Sequence, residues 1–453
     1  ESISLDLNIS YAGDQSITSN ISTTGNYGYG FWMKENDSST ITINGDITTT
    51  GSNAIGFYSE LSDSNNITIT GDITTSGTNG NSEGIALVNS DSNTFALSGK
   101  VQSLGGDEAI KVNSTSQSNT FNLNAGANII GGFYNEGTST TITNQGAIDT
   151  LSNSGTMTLF NNSGTNTTLS NTGTITSLTN SGAITTLNNL NTITSLTNSG
   201  TINTLRNLSA FSNISNSGTI TSLINSRIIN NGISNSGTIT SLTNLSSLDS
   251  ISNSGTINTL NNLESDLTFS QTLPENYNVI FRNQAENYGK LFVTSASGST
   301  ELNIASISNV KTGIYKNIIT GVSSEKIISK TGTIIGNRSS SVGSVSWRLV
   351  ESSSGSGIWN LDVNGTYNYF GSVATLQNSV KNTANAIRGA LNSMTASMNF
   401  ANMTTYDCNL FGNNGGCVSV GGRYTGTDNP DTTNTAIVAK AGYKFNEHFR
   451  YGA

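Results

Sequence analysis

Asn171-Thr172-Gly173-Thr174-Ile175-Thr176-Ser177-Leu178-Thr179 is a nine-residue unit, and Asn180-Ser181-Gly182-Ala183-Ile184-Thr185-Thr186-Leu187-Asn188 repeats it at once. Its glycine returns at 155, 164, 173 and 182, and then only at every second unit, at 200, 218, 237 and 255. The units between open differently, as Asn189-Leu190-Asn191 and Asn207-Leu208-Ser209. Such alternation fits a coil of two units, 18 residues, because a 27-residue coil would mix both variants on one face. The inward set is then Ile175, Ile184, Ile193, Ile202, Ile220, Ile239 and Ile257, with Leu178, Leu187, Leu196, Leu205, Leu223, Leu242 and Leu260. The asparagines at the unit boundaries, such as Asn180, Asn198, Asn216 and Asn235, are placed to form amide ladders from coil to coil.

A longer repeat precedes this one. Asn20-Ile21-Ser22-Thr23-Thr24-Gly25 returns as Asp46-Ile47-Thr48-Thr49-Thr50-Gly51 and Asp72-Ile73-Thr74-Thr75-Ser76-Gly77, with a weaker copy from Lys100-Val101. Thr40-Ile41-Thr42-Ile43 and Gly30-Phe31-Trp32 head two further series in the same register. Three short alternating strands per repeat imply three faces per coil, with one set of side chains inward. One coil cannot bury that set, but stacked coils can. The predicted fold class is therefore all-β, a parallel β-helix (β-solenoid). About ten coils stacked ~4.8 Å apart would give a rod of about 50 Å.

Composition supports order over disorder. Charged residues make up 10% of the chain and Pro occurs twice, whereas a typical soluble domain is about 25% charged. Residues 1–150 hold 3 Lys/Arg against 15 Asp/Glu, and the whole chain carries a net charge of −9. No basic stripe exists, so nucleic acid is not an expected partner. No signal peptide is visible at Glu1 and no apolar run of about 18 residues exists, which reads as a chain processed at its start.

The inventory for chemistry is short. The single histidine is His448, so a Ser-His-Asp triad in the repeats is ruled out, and zinc finds neither His nor Cys there. No phosphate-binding loop and no glycine-rich calcium repeat is present; no cofactor, metal or catalytic set is expected. Asp46 and Asp72 stack in successive coils, the one arrangement from which paired-carboxylate glycan cleavage is conceivable. Tyr27, Tyr29, Trp32 and Tyr58 cluster in the early coils and are the candidate binding residues, since Tyr and Trp anchor partners and sugars. Their neighbours Phe31 and Phe57 are better suited to the core. Cys408 and Cys417 lie in a Gly/Asn-rich loop and are placed to form a disulfide.

The sequence divides at 1–149 (coils of about 27 residues), 150–263 (nonapeptide coils), 264–371, 372–400 and 401–453. From Glu264 the repeat stops, and Trp347-Arg348-Leu349 and Trp359-Asn360-Leu361-Asp362-Val363 close the third segment. Val373, Leu376, Val380, Ala384, Ile387, Leu391, Met394 and Met398 step by three or four, as on one face of a helix over 372–398. Cys417–Tyr424 and Ala436–Phe445 read as two strands whose alternation suits a transmembrane barrel.

In this order the segments resemble the Gram-negative type V autotransporters: a β-helical passenger, a pertactin-type autochaperone cap at 264–371, a linker helix at 372–400, and the first two strands of a truncated outer-membrane β-barrel at 401–453. The resemblance is most specific over Ser372–Ala453. It implies export through the chain's own barrel with the help of the barrel assembly machinery, an outer-membrane or cell-surface location with the passenger extracellular, and a non-enzymatic adhesin or virulence role. A host cell-surface protein or glycan is the expected partner. A membrane-active passenger of the vacuolating-cytotoxin type and a glycan-cleaving β-helix enzyme are the alternatives.

Overall fold

The computed structural model describes residues 8–9, 14–77, 81–282, 287–371, 411–428, 431–447 and 450–452. Two compact units divide them: residues 1–336 with 342–369, and residues 337–341 with 370–453. The helix expected over 372–400 and Cys408 lie outside the described residues.

The first unit is a parallel β-solenoid. In its early coils Ile21–Thr23 pairs with Ile47–Thr49, Phe31–Lys34 with Phe57–Glu60, and Thr40–Ile43 with Asn66–Ile69, all parallel and in the register of the repeat. Three strands per coil are therefore present, as the alternation predicts. Then two strands merge. Asn128–Ile130 and Phe133–Asn135 both pair with the single strand Ala147–Asn153. The corner between them, Gly131-Gly132, has φ of 95° and 109°, a region that glycine enters without steric cost. The next coil continues past this point in one strand through Asp149 and Thr150, and the coils that follow are built mainly of two seven-residue strands, one of them broken into Ile228–Ile229 and Ile233–Asn235.

In those coils Thr174–Asn180 pairs with Thr192–Asn198, joining Ile175 to Ile193 and Leu178 to Leu196. The spacing is 18 residues, as the alternation of units requires. Thr176 is skipped in this pairing, and the strand bends there, so Ile175 and Leu178 both face inward although they are three apart. Every residue of the predicted Ile and Leu sets is buried.

Two unbroken amide ladders flank this apolar core. Asn144, Asn162, Asn180, Asn198, Asn216, Asn235 and Asn253 form one, each Nδ2 donating to the next Oδ1 at 2.7 Å. Asn135, Asn153, Asn171, Asn189, Asn207, Asn225, Asn244 and Asn262 form the other, at 2.7–3.1 Å. Both ladders are buried.

The solenoid does not stop where its sequence repeat does. Past Glu264, Leu267–Thr272 and Leu291–Ser297 extend one sheet, while Asn276–Val279 and Glu301–Ile304 extend the other, still parallel. The rod is thus longer than the repeats imply. Leu267, Phe269, Tyr277, Val279, Leu291 and Leu302 occupy the core without repeating one another. Antiparallel structure begins with Asn309–Thr320, which joins the parallel stack at Leu291↔Ile319 and pairs with Ile358–Tyr369. Trp347 and Trp359 are buried there, and Trp359 Nε1 donates to the Val322 carbonyl at 2.8 Å.

In the second unit Gly416–Asp428 and Asp431–Lys444 form an antiparallel hairpin, extended by Arg450–Gly452. Val418, Val420, Ile437, Tyr443 and Phe445 are exposed. Cross-strand partners such as Val418↔Ala441 and Val420↔Ala439 put these apolar side chains on one face, and Ser419↔Lys440 lies on the other. Cys417 is disulfide-bonded, and the sequence holds one other cysteine, Cys408.

Candidate functional site: an aromatic cleft on the early coils

The strands Phe31–Lys34, Phe57–Glu60, Ile85–Val88 and Ile110–Val112 stack in register. Phe31, Phe57, Ile85 and Ile110 point inward and are buried, so the first and third residues of each strand build the core. The second residues form an outward row: Trp32, Tyr58, Ala86, Lys111. Within this row Ala86 is small between two large neighbours, and a cleft of about 280 Å³ opens over it. Tyr27, Tyr29, Tyr58, Glu83 and Lys111 are among its walls, with Asn53, Asn81 and Asn113 at its edges.

The corner loops position the walls. Tyr27, Asn53 and Asn81 occupy equivalent places in successive coils and all have positive φ, at 59°, 56° and 54°. Asparagine tolerates that region, but for a bulky side chain it is an outlier. The first coil therefore holds Tyr27 in a conformation that costs free energy, and its ring is 67% exposed. The same region recurs at another corner, at Glu35, Leu61 and Asn89, so it belongs to the turn geometry of the coils.

The predicted binding residues come together. Tyr29 lies 5.5 Å from Trp32, edge to face, and 4.9 Å from Tyr58, while Trp32 and Tyr58 stack at 6.4 Å. Lys34 Nζ sits 5.3 Å over the Trp32 ring and 3.8 Å from Glu60. Trp32 Nε1 is buried without a hydrogen-bond partner.

Glu83 and Lys111, which the sequence did not single out, complete the cleft. Glu83 is 3% exposed, and its Oε1 lies 3.5 Å from Lys111 Nζ. Its Oε2 is buried with no hydrogen-bond partner. Burial pushes the Glu83 carboxyl above its ordinary range; its backbone hydrogen bond and Lys111 oppose this, while Asp107 and Glu108 add to it. Burial works against the charge on Lys111 as well, yet Glu83, Glu108 and Glu136 together hold its pKa above the usual lysine value. Burial, then Glu60, pushes the Tyr58 phenol up to about 12 and raises Tyr29 too. Both phenols remain protonated donors at neutral pH.

The signal for Glu83 is faint but present. It lies two residues before the strand, the place that Tyr29 and Ile55 fill in the preceding coils, so an acid replaces a largely apolar residue in a shielded column.

The stacked carboxylates have a different task. Asp46 Oδ1 accepts the Asp72 N–H at 2.9 Å, and Asp72 Oδ1 accepts the Lys100 N–H at 2.8 Å. Asp37, Asp63 and Asp91 repeat this at another corner. These side chains tie each turn to the next coil. Among the described residues no group of three His, Cys, Asp or Glu side chains is placed to hold a metal ion. Neither a protein family, nor a curated protein, nor a solved structure matches this chain.

Proposed function

We propose that the chain is the surface-displayed, non-catalytic rod of an autotransporter-like protein and adheres to host-cell proteins or glycans through the cleft between Tyr29, Tyr58 and Glu83. The observation that carries this is the cleft itself: the rings of Tyr27, Tyr29 and Tyr58 and a buried carboxylate with an unpartnered oxygen line one space beside the outward row. The paired strands of neighbouring coils hold such walls in place, which lowers the ordering cost of binding.

The exported, outer-membrane part of the reading rests on the hairpin. Its strands of 13 and 14 residues exceed the about 9–11 that a tilted transmembrane strand needs. One face of described residues is apolar, with Ile437, Ala439, Ala441, Tyr443 and Phe445 alternating with Lys440 and Lys444. A barrel that places the first face in lipid and the second in its lumen accounts for both.

Adhesion of purified protein to cultured host cells tests the proposal. Binding is expected to fall about tenfold or more in a Tyr29→Ala, Tyr58→Ala variant, as for aromatic anchors elsewhere. Absence of cell binding and of bacterial clumping would overturn the adhesin reading. Release of dye from liposomes would replace it with the membrane-active one.

A further inference from the structure

We infer that the cleft over Ala86 is a binding site for a single neutral saccharide unit, stacked on Tyr29 and Tyr58 and hydrogen-bonded to Glu83. The inference deepens the adhesion proposal and rests on it.

The shape comes first. Ala86 interrupts the outward row between Tyr58 and Lys111, so the strand below supplies a floor and the two long side chains supply walls. At about 280 Å³ the space lies at the small end of ligand clefts, near ~300 Å³. That suits one ring and not an extended chain. The rings of Tyr29 and Tyr58, 4.9 Å apart and tilted by 43°, form a V-shaped aromatic wall. The C–H face of a pyranose packs on such a surface, leaving its hydroxyls at the ring's rim.

The chemistry then selects among small ligands. Glu83 Oε2 is buried and lacks a donor, and an unsatisfied buried acceptor costs about 1–3 kcal/mol. That oxygen is sealed from solvent, so a ligand's hydroxyl reaches it by displacing the side chains that cover it, and the bond then recovers that loss. Sugar hydroxyls donate and also accept, so the same ring can meet Lys111 and the amides of Asn81 and Asn113. An anionic ligand meets the opposite situation. Glu60 acts on Tyr58, and Asp107 and Glu108 act on Glu83, each as a negative charge, while Lys34 and Lys111 are each ion-paired to an acid. A cation would gain less than it would beside a lone carboxylate, because Lys111 already balances Glu83. A neutral polyol is the class that satisfies the orphaned oxygen without disturbing this balance.

The test is saturation-transfer NMR and calorimetry on the full chain. The probes are methyl glycosides of glucose, galactose, mannose and the N-acetylhexosamines, with sialic acid as the anion and triarginine as the cation. At least one neutral glycoside is expected to bind and to receive saturation from tyrosine ring protons, while sialic acid does not. Two variants locate the site. Glu83→Gln keeps the shape and removes the charged acceptor; Ala86→Leu keeps every polar group and fills the floor. Ala86 is 4% exposed beneath the neighbouring side chains, so the leucine takes up the cleft's own space. Each variant is expected to weaken the neutral glycoside by about tenfold or more, with the circular-dichroism spectrum unchanged. No binding by any neutral glycoside, binding that survives Ala86→Leu, or preferential binding of triarginine would each overturn the inference. Host-cell adhesion measured on the same variants separates the two proposals. Adhesion without glycoside binding leaves the adhesin and removes the saccharide, and glycoside binding without adhesion does the reverse.

Discussion

Asparagine is an unusual residue for the interior of a rod, because a buried amide carries two donors and an acceptor that all need partners. The ladders solve this by repetition. Asn198 Nδ2 donates to Asn216 Oδ1 at 2.7 Å and to the Thr219 carbonyl at 3.2 Å, and its own Oδ1 accepts from Asn180 at 2.7 Å. Each amide thus satisfies the coil before it and the coil after it, and a residue inside the column cannot change chemistry alone. Asn198→Ala is expected to lower the unfolding free energy by about 1–3 kcal/mol, since it orphans the Asn216 oxygen. Asn198→Asp changes almost no volume but sets two acceptors face to face in a buried site, one of them charged. It should cost more than alanine at pH 7. The gap should narrow as pH falls, because protonation gives the new carboxyl a donor and removes its charge. Urea midpoints at pH 7 and pH 4 decide the matter, and an aspartate variant as stable as the alanine variant at pH 7 would refute the ladder's role.

At the scale of the coil, the corners set what the sequence could reveal. Coils whose residues repeat were legible: Ile175 and Ile193, or Leu178 and Leu196, announce their pairing by identity at a fixed interval. The merging of three faces into two was not, because it depends on the presence of Gly131-Gly132 in one coil and the lack of such a corner in the next. The coils beyond Glu264 were not legible either. Core filling there requires only suitable volume, so Tyr277 follows Leu260 in the same column with no repeat to mark it. The cleft was half legible: its aromatic residues stood out by type, whereas Ala86 matters by being small and Glu83 by being shielded. Corner glycines offer a direct check. A Cβ on Gly182 would lie 2.0 Å from the Gly164 carbonyl oxygen, with backbone on every side, whereas one on Gly25 would meet nothing within 4 Å. Gly182→Ala is therefore expected to destabilise by about 1–3 kcal/mol or more. Gly25→Ala should be neutral or slightly stabilising by restricting the unfolded chain. Thermal unfolding of the two variants side by side tests this, and equal midpoints would show that the corners have slack.

Across the whole solenoid, each coil touches only its neighbours, so stability is a sum of coil terms and interface terms, and the ends are the weak points. An open end exposes both unpaired strand edges and the apolar column. The antiparallel pair Asn309–Thr320 and Ile358–Tyr369 covers this need at one end, changing strand direction where parallel stacking would otherwise invite another chain. Trp359 fastens it: the ring is buried, and its Nε1 bonds the Val322 carbonyl. Trp359→Ala removes both and is expected to cost about 3–5 kcal/mol locally. In a one-dimensional stack that loss cannot spread evenly. Amide exchange should quicken first in Leu291–Ser297 and Glu301–Ile304, next in Leu267–Thr272, and least in the laddered coils around Thr192–Asn198. The freed edge should also make the variant associate end to end as concentration rises. Hydrogen exchange with peptide resolution, alongside light scattering, reads both effects. Exchange that rises equally in every coil would mean that the rod unfolds as one cooperative body and that the cap guards no particular end.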